Sequence, residues 1–305
     1  MRSTFLIVMV VLLWSCDRQP ELCFDHDAHD RLPVKVVFDW SRHPNASPST
    51  LSLYLFPEDG SRYTRHEFTD RTGGLILVRP GRYSAVAVNS DNEDIKIIRS
   101  DSFRDFTIAL RDAYDTQGLS SSRLNQPLCP SPDSLWIARL DDIYIDGSPI
   151  IVTMTDACCH YSVEIRHLRN SHLVESVEAT LSGMHRTIIN RENEPVDSAR
   201  LLFTLRHLTD DSLRGDLLTL GHCGLTASRS YDPIHHLGLY LRLGDGSVRY
   251  HSEDVTAQIH SQPPERCHIV IDTLDLPPKL SSGGLDFSVD DWNIVDIDVT
   301  PNKPN

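Results

Sequence analysis

Residues 33–40 read PVKVVFDW and contain the clearest strand signal in the chain. Apolar and polar side chains largely alternate along this segment, so that one face of an extended strand is apolar and the other faces solvent. This alternation predicts a half-buried β-strand that begins after a proline. Its apolar face carries Val34, Val36, Phe38 and Trp40.

Similar apolar runs follow at short spacing, separated by turn sequences such as PEDG at 57–60 and RPG at 79–81. Glycine supplies positive φ angles in such turns, and proline presets φ. Many short strands without helical segments between them predict antiparallel sheets packed as sandwiches. The predicted strands cover residues 33–40, 51–56, 62–69, 75–78, 82–89, 95–98, 103–110 and 135–145, then 150–154, 159–168, 173–181, 199–208, 213–220, 237–243, 248–251, 267–272 and 286–299.

Three segments depart from this strand pattern. Residues 253–260 predict a brief helix, because Val255 and Ile259 have the i, i+4 spacing of one helical face. Residues 244–246 (GDG) lie between two strand patterns and predict a hairpin turn. Residues 115–133 are rich in serine and proline; a linker is the alternative, but we favour a long loop inside the first domain.

The length of 305 residues is enough for two domains, at roughly 150 residues each. Hydrophobic residues at 40% and charged residues at 24% are typical of a packed globular protein. A turn at 146–149 (DGSP) divides the strands into two groups. We therefore predict an all-β protein with one β-sandwich over 33–149, a second over 150–300, and a short tail at 301–305.

The charge balance argues against nucleic acid as a partner. The chain has 43 acidic and 29 basic residues, a formal charge of −14 and an isoelectric point near 5.4. Binding to a phosphate backbone depends on clustered cations that release counterions, and this chain has no surplus of them.

The N-terminus has the features of a lipoprotein signal. Residues 5–14 (FLIVMVVLLW) follow Arg2 and match the core of a signal peptide, but they are too short to span a bilayer. The run ends in Ser15 and Cys16, which resembles a lipobox. We predict a signal peptide over 1–15, acylation of Cys16 and a tether over 16–32, and so a lipid-anchored protein exposed at the outer membrane. The alternative is an ordinary secretory signal with an incidental cysteine.

Six further cysteines remain in the mature chain, an even number that permits disulfides in an exported protein. Six cysteines allow 15 pairings, and their spacing selects none. Buried free thiols are the alternative. The six are Cys23, Cys129, Cys158, Cys159, Cys223 and Cys267.

Motifs for common enzyme chemistry are absent from the sequence. There is no G-x-S-x-G, no P-loop and no H-E-x-x-H, so neither an enzyme nor a cofactor is predicted. The histidines, including His222 and His235, are scattered and predict ordinary core or surface positions.

Residues 25–30 (DHDAHD) are the best metal-like cluster, with His26 and His29 as weak candidate ligands. Because the cluster lies between Cys16 and the first strand, a solvated tether is the favoured interpretation and no metal is predicted.

Eight segments together resemble one known family. They read ELCFDHDAHDRLPVKVVFDW at 21–40, LYLFPEDG at 53–60, RPGRYSAVAVNSDNE at 79–93, TMTDACCHYSVEI at 153–165, LSGM at 181–184, LYLRLGDG at 239–246, DVTAQI at 254–259 and FSVDDWNIVDIDV at 287–299. The sequence is similar to lipoproteins of the FimB/Mfa-type fimbrillin family, which are cell-surface proteins of Bacteroidota.

This resemblance implies two tandem transthyretin-like β-sandwich domains and no enzymatic activity. It implies an anchor, shaft or tip component of a fimbria, or an adhesin, whose partners are other fimbrial subunits or host or bacterial surface ligands. Growth by strand exchange is implied as well. The candidates are the last strand, 286–299, and the first strand with Val34, Val36, Phe38 and Trp40.

Arg42, in the loop after the first strand, is the possible cleavage site for an arginine-directed protease. Cleavage there would separate the body of the protein from its lipid. We therefore favour an anchor or terminal subunit in which the first strand stays in place.

The alternative function is a glycan-binding surface lipoprotein that assists a nutrient importer. Such a protein needs exposed aromatic platforms, whereas Trp40, Trp136 and Trp292 lie in strand patterns that predict core positions. An exposed group of tyrosines would favour this alternative, and the candidates are Tyr144, Tyr161, Tyr231, Tyr240 and Tyr250.

Overall fold

The computed structural model describes residues 30–113, 126–189, 197–224, 234–276 and 293–295. Strands dominate this part of the chain, and the all-β prediction is confirmed. The first strands are β1 (Leu32–Asp39), β2 (Leu51–Pro57), β3 (Thr64–Phe68), β4 (Gly73–Val78), β5 (Gly81–Asn89), β6 (Ile95–Arg99), β7 (Thr107–Leu110), β8 (Leu128–Pro130), β9 (Trp136–Ile145), β10 (Ile150–Thr153) and β11 (Thr155–Asp156).

The later strands are longer and are interrupted by one short α-helix. They are β12 (Cys159–Arg169), β13 (Val174–His185), β14 (Thr187–Ile189), β15 (Ser198–Thr209), β16 (Ser212–Thr219), β17 (His236–Leu243), β18 (Val248–Asp254), β19 (Arg266–Asp275) and β20 (Asn293–Val295), with helix α1 (Thr256–His260) between β18 and β19.

Two sheets enclose the first core. One has the order β10-β1-β4 and the other the order β11-β9-β5-β2-β3. In the second of these sheets, the central strands β2 and β5 are buried on both faces over most of their length. In β2, Leu53 and Leu55 face the core beneath β1, whereas Tyr54 and Phe56 belong to a second core on the opposite face. Burial on both faces explains why β2 (LSLYLFP) is almost continuously apolar instead of alternating.

The second core continues into the rest of the molecule. A small sheet, β14-β7-β6, contributes Ile108 and Leu110 to it, and Phe106 packs edge-on against Tyr54 at 5.0 Å. A nine-stranded sheet supplies most of the remaining core side chains. Its order is β19-β12-β16-β15-β13-β17-β18-β20, with β8 beside β15.

The expectation of purely antiparallel sheets is wrong in three places within the described residues. The pairs β1–β10, β12–β19 and β8–β15 are parallel. The need for a crossover helix applies to parallel strands that follow each other directly. Here each parallel pair is separated in sequence by several other strands, which make the connection instead.

Local elements mostly match their predicted positions. The GDG hairpin joins β17 to β18, with Gly246 N–H donating to the Leu243 carbonyl at 2.8 Å. The helix is shorter than predicted because residues 253–254 complete β18. The predicted loop 115–133 contains the short strand β8, and β14 was not predicted. Both are three-residue strands, too short to show periodicity.

Some strands pair with strands from the other half of the chain. β10 and β11 follow residue 149 in sequence but pair with β1 and β9, while β14 pairs with β7 and β8 with β15. The division into two domains and their transthyretin-like character stay predictions.

Candidate functional site

The first strand, β1, is the central strand of its sheet. It pairs in parallel with β10, from Val36 opposite Ile150 to Asp39 opposite Thr153. Its other edge pairs antiparallel with β4, from Leu32 opposite Val78 to Val37 opposite Gly73. Strands therefore flank β1 on both edges.

The inner face of β1 is fully inside the core. Val34 and Val36 have no exposed surface, and Phe38 and Trp40 are 3% and 6% exposed. Phe38 packs edge-on against Phe68 at 5.1 Å between ring centroids, and Trp40 does the same with Trp136 at 5.6 Å. The predicted face is thus observed, whereas its part in strand exchange stays a prediction.

Trp40 fixes the end of β1. Its Nε1–H donates to the Arg71 carbonyl at 2.7 Å, and the Arg71 guanidinium lies 5.5 Å from the indole ring. Arg71 Nη2 also donates to the Pro44 carbonyl at 3.3 Å, which connects β1 to the loop that follows it.

Gly73 lets β4 approach β1 closely. Its φ of +112° is disfavoured for side-chain-bearing residues, and a Cβ atom there would lie 2.1 Å from the Val36 carbonyl oxygen. This backbone contact leaves room only for glycine.

The loop after β1 contains two tight turns and an exposed arginine. His43 N–H donates to the Trp40 carbonyl at 2.9 Å, and Ala46 N–H donates to the His43 carbonyl at 3.0 Å. The Asp39 carboxylate accepts from Ser41 N–H at 2.9 Å, and this bond lowers the pKa of Asp39. Arg42 is exposed, but its backbone lies in a turn. A protease that binds extended substrates would first have to open that turn.

The same loop borders a polar cavity of about 580 Å³, whose opposite wall includes Asn89, Asp91 and Asn92. The Asp91 carboxylate accepts from Ser49 N–H at 2.6 Å and from Asn89 Nδ2 at 2.8 Å. Asn89 Oδ1 also accepts from Trp136 N–H at 2.8 Å. This network holds the C-terminal end of the loop at Ser49.

The outer face of the β1 sheet exposes apolar side chains. Leu75 and Leu77 on β4 are 74% and 60% exposed, and Ile151 on β10 is 54% exposed. Ile151 lies opposite the half-buried Val37 of β1 in the strand register. The three strands that form the candidate site thus carry an apolar outer patch.

Several predicted site residues lie outside the described residues. These are the acylation candidate Cys16, the ligand candidates His26 and His29, and Cys23. Of the last predicted strand, 286–299, only β20 is described, and it pairs with β18. Within the described ranges, we find no helix with the length and apolar character needed to cross a membrane.

Sequence reasoning missed a histidine cluster beside the nine-stranded sheet. The rings of His222, His235 and His260 lie 5.0 to 5.6 Å apart, and His222 Nδ1 is 2.5 Å from the Tyr161 hydroxyl. His235 Nδ1 lies 3.0 Å from the Ser182 carbonyl oxygen. Because a carbonyl can only accept, Nδ1 carries the ring proton and donates it. His235 Nε2 then accepts from His260 Nε2 at 3.0 Å.

Burial, reinforced by His235, His260 and His185, lowers the pKa of His222 to about 4. Burial also lowers the pKa of His235. Across the described ranges, no group of three or more His, Cys, Asp or Glu side chains is arranged to hold a metal ion. His222 and His235 are thus neutral at pH 7 and packed side by side. The histidines of this cluster are far apart in sequence, so no local sequence pattern predicts that they meet.

Within the described part of the chain, none of five cysteines forms a disulfide: Cys129, Cys158, Cys159, Cys223 and Cys267. Burial raises the pKa of Cys158 to about 12 and that of Cys129 and Cys267 to about 11. These thiols stay protonated and poorly nucleophilic at neutral pH.

The described tyrosines do not form an exposed platform. Tyr161 and Tyr240 are only 2% and 8% exposed, whereas Tyr144 is 65% exposed. Tyr250 is partly buried, and its ring lies tilted against that of Tyr240 with 4.8 Å between the centroids. Tyr231 lies outside the described residues. The observation that would favour glycan binding is therefore missing from the described surface.

Residues 15–203, more than half of the chain, match the model of a family described as "Domain of unknown function (DUF5119)". A curated Bacteroides ovatus protein named "Putative fimbrium anchoring subunit Fim4B" is 27% identical over 161 residues, which is 50% of this chain and 45% of that protein. The match thus covers less than half of that relative's length. It confirms the predicted resemblance to fimbrillin-like proteins.

A solved structure shares the fold of this chain. A crystal structure described as a "putative adhesin" from Bacteroides ovatus superposes with a TM-score of 0.60 at 18% identity, covering 82% of this chain and 96% of that one. The fimbrial anchor protein Mfa2 from Porphyromonas gingivalis gives a TM-score of 0.46 at 15% identity over 79% of this chain and 89% of its own. The latter score is too low to establish a shared fold by itself.

Proposed function

Since the chain belongs to the DUF5119 family, whose function is unknown, we propose a role from its geometry: a non-enzymatic fimbrial anchor or accessory subunit at the cell surface. The name of the curated Bacteroides ovatus relative supports this class of function. The observation that carries the proposal is the position of β1, held between β4 and β10 directly downstream of the predicted lipid anchor.

A strand in that position serves an anchor better than a growing shaft subunit. Removal of β1 would expose the core side chains around Val36 and Phe38, and it would break two ladders of backbone hydrogen bonds. Exposed apolar surface costs about 25 cal/mol per Å², so the empty groove would be strongly unfavourable. In an anchor, β1 keeps this groove filled and joins the lipid at Cys16 to the folded body.

Partner subunits then use edges that are still open. In the described part of the chain, β4 and β10 are the end strands of the β1 sheet. β4 is the longer of the two, with six residues, and carries the exposed Leu75 and Leu77. A strand added beside β4 would gain backbone hydrogen bonds and cover part of this apolar patch. We propose β4 as the edge that receives a neighbouring subunit.

Cell fractionation tests the anchor role. In the source bacterium, a Cys16→Ala variant should move from the membrane fraction to the soluble fraction, and surface polymers should be released into the medium. Cys23→Ala is the matched control and should leave both in place. Polymers that stay attached when Cys16→Ala is soluble would exclude the anchor role.

The N-terminal sequence of the surface-exposed protein tests whether β1 is retained. A mature chain that begins at acylated Cys16 supports the anchor. A chain that begins at His43 would show that β1 is removed, as in a subunit that exchanges this strand.

A further inference from the structure

The outer edge of β19 is closed by side chains instead of a strand. β19 spans ten residues and, among the described strands, pairs with β12 along one edge only. Within the residues that the structure describes, it is the end strand of the nine-stranded sheet. An uncovered edge of this length presents a row of N–H and C=O groups to which another chain can pair.

Two glutamines satisfy these backbone groups. Gln262 Nε2 donates to the His268 carbonyl at 2.9 Å, and its Oε1 accepts from His268 N–H at 2.9 Å. Gln258 bonds Val270 in the same way: its Nε2 donates to the Val270 carbonyl at 3.0 Å, and its Oε1 accepts from Val270 N–H at 2.9 Å. Each side-chain amide therefore supplies the donor and the acceptor that a residue of a neighbouring strand would supply.

The positions of the glutamines follow from the short helix. Gln258 and Gln262 are four residues apart and lie on one side of α1 and the turn that extends it. Val255 and Ile259, both fully buried, hold that segment against the core. Beyond the turn, the Pro263 carbonyl accepts from Arg266 N–H at 3.1 Å, which covers the start of β19.

The far half of β19 is protected differently. Thr273 has a φ of +81°, which interrupts the extended backbone that a paired strand requires. Asp272 and Asp275 place carboxylates on this half, where they contact His167 and Arg169. Charge and irregular backbone both discourage pairing at an edge. The regular half, with His268 and Val270, is the half that the glutamines cover.

We infer that residues 256–263 take the place of a neighbouring strand and keep the regular half of β19 from pairing with β19 of a second copy of the chain. Two copies of one strand edge are self-complementary about a twofold axis, so an uncovered edge would pair with itself first. The inference rests on the hydrogen bonds alone and does not depend on the proposed function.

Replacing both glutamines by methionine tests this inference, because methionine keeps the length of the side chain but removes the amide donor and acceptor. We compare the full chain carrying Cys16→Ala with the same chain carrying Gln258→Met and Gln262→Met in addition. The double variant should form dimers or larger species in size-exclusion chromatography with light scattering. Ser261→Ala is the matched control, because its hydroxyl bonds the Gln258 carbonyl and not β19. It should stay monomeric.

Val270→Pro, added to the double variant, should restore the monomer. Proline removes the outward N–H of Val270 but leaves the ladder to β12 intact. A folded double variant that stays monomeric would contradict the inference, and so would association that Val270→Pro does not reduce.

Hydrogen exchange in the chain with intact glutamines gives an independent test that needs no folded double variant. The amides of His268 and Val270 should be at least tenfold slower to exchange than those of exposed loops. Exchange as fast as in the loops would overturn the inference. The fractionation result for the anchor role is unaffected by either outcome.

Discussion

The strands β1 and β19 satisfy their backbone hydrogen bonds in opposite ways. β1 lies between two strands, whereas β19 has one neighbour among the described strands and, on its other edge, the side chains of Gln258 and Gln262. β1 is held by both ladders and by a buried face. The regular half of β19 also has a buried face, but it is held by one ladder and its outer edge is covered by two glutamine side chains. In an all-β protein, these differences decide at which sheet edge a strand of another chain can pair.

The largest expected effect is on the buried face of β1. Phe38→Ala should lower the free energy of unfolding by about 3–5 kcal/mol, because it leaves a cavity beside Phe68. Urea unfolding measures the change. Lys35→Ala, on the exposed face of the same strand, should stay within about 0.5 kcal/mol. Equal effects at the two positions would mean that the buried face does not hold β1.

The close contact between β4 and β1 should produce the next largest effect. Gly73→Ala should cost roughly 2 kcal/mol or more, because the added Cβ meets the Val36 carbonyl and the backbone conformation disfavours a side chain. Gly60→Ala is the control. Gly60 also has a positive φ, +79°, but has open space around it, so the cost should be about 1 kcal/mol. A cost at Gly73 no greater than at Gly60 would argue against the contact.

Acid should destabilise the nine-stranded sheet, which contains β19, more than the sheet that contains β1. The pKa of His222 is lowered to about 4 in the folded protein from an ordinary value of 6.5. The unfolded chain therefore binds the proton more readily, and stability falls as pH decreases from about 6.5 towards 4. With allowance for the partial exposure of this histidine, the loss should be about 1–2 kcal/mol.

Urea unfolding at pH 7 and pH 4.5 measures this loss, and His222→Gln should reduce it. Hydrogen exchange should show β13 and β17, which flank the cluster, losing protection in acid before β1 and β2 do. An unchanged pH dependence in the variant would assign the effect to other groups.

The smallest effect is expected on the outer face of the β1 sheet. Leu75→Ser should change the free energy of unfolding by no more than about 0.5 kcal/mol, because the side chain is 74% exposed. Its neighbour Ile76 is 7% exposed, and Ile76→Ala should cost about 2–4 kcal/mol. A clear decrease in the free energy of unfolding of the Leu75 variant would show that the apolar outer patch is already covered in the folded protein.

The local pattern of the sequence predicted which residues form strands and, for β1, which face is buried. The pattern did not predict the burial of both faces of β2, where Ser52 is fully buried and its hydroxyl donates to the Glu67 carboxylate at 2.8 Å. The three-residue strands β8 and β14 escaped prediction, and so did the histidine cluster, which unites positions 222, 235 and 260. Each of these features depends on neighbours that are distant in the chain.

The sequence by itself determined the all-β class, the strand segments and the family resemblance, because burial acts on each side chain and leaves a period of two in the chain. Only the tertiary structure decided which strands are neighbours: β10 beside β1, and two glutamines where a neighbour of β19 would lie. Strand pairing is made by backbone groups that every non-proline residue carries, so the choice of partner leaves little mark on the local sequence.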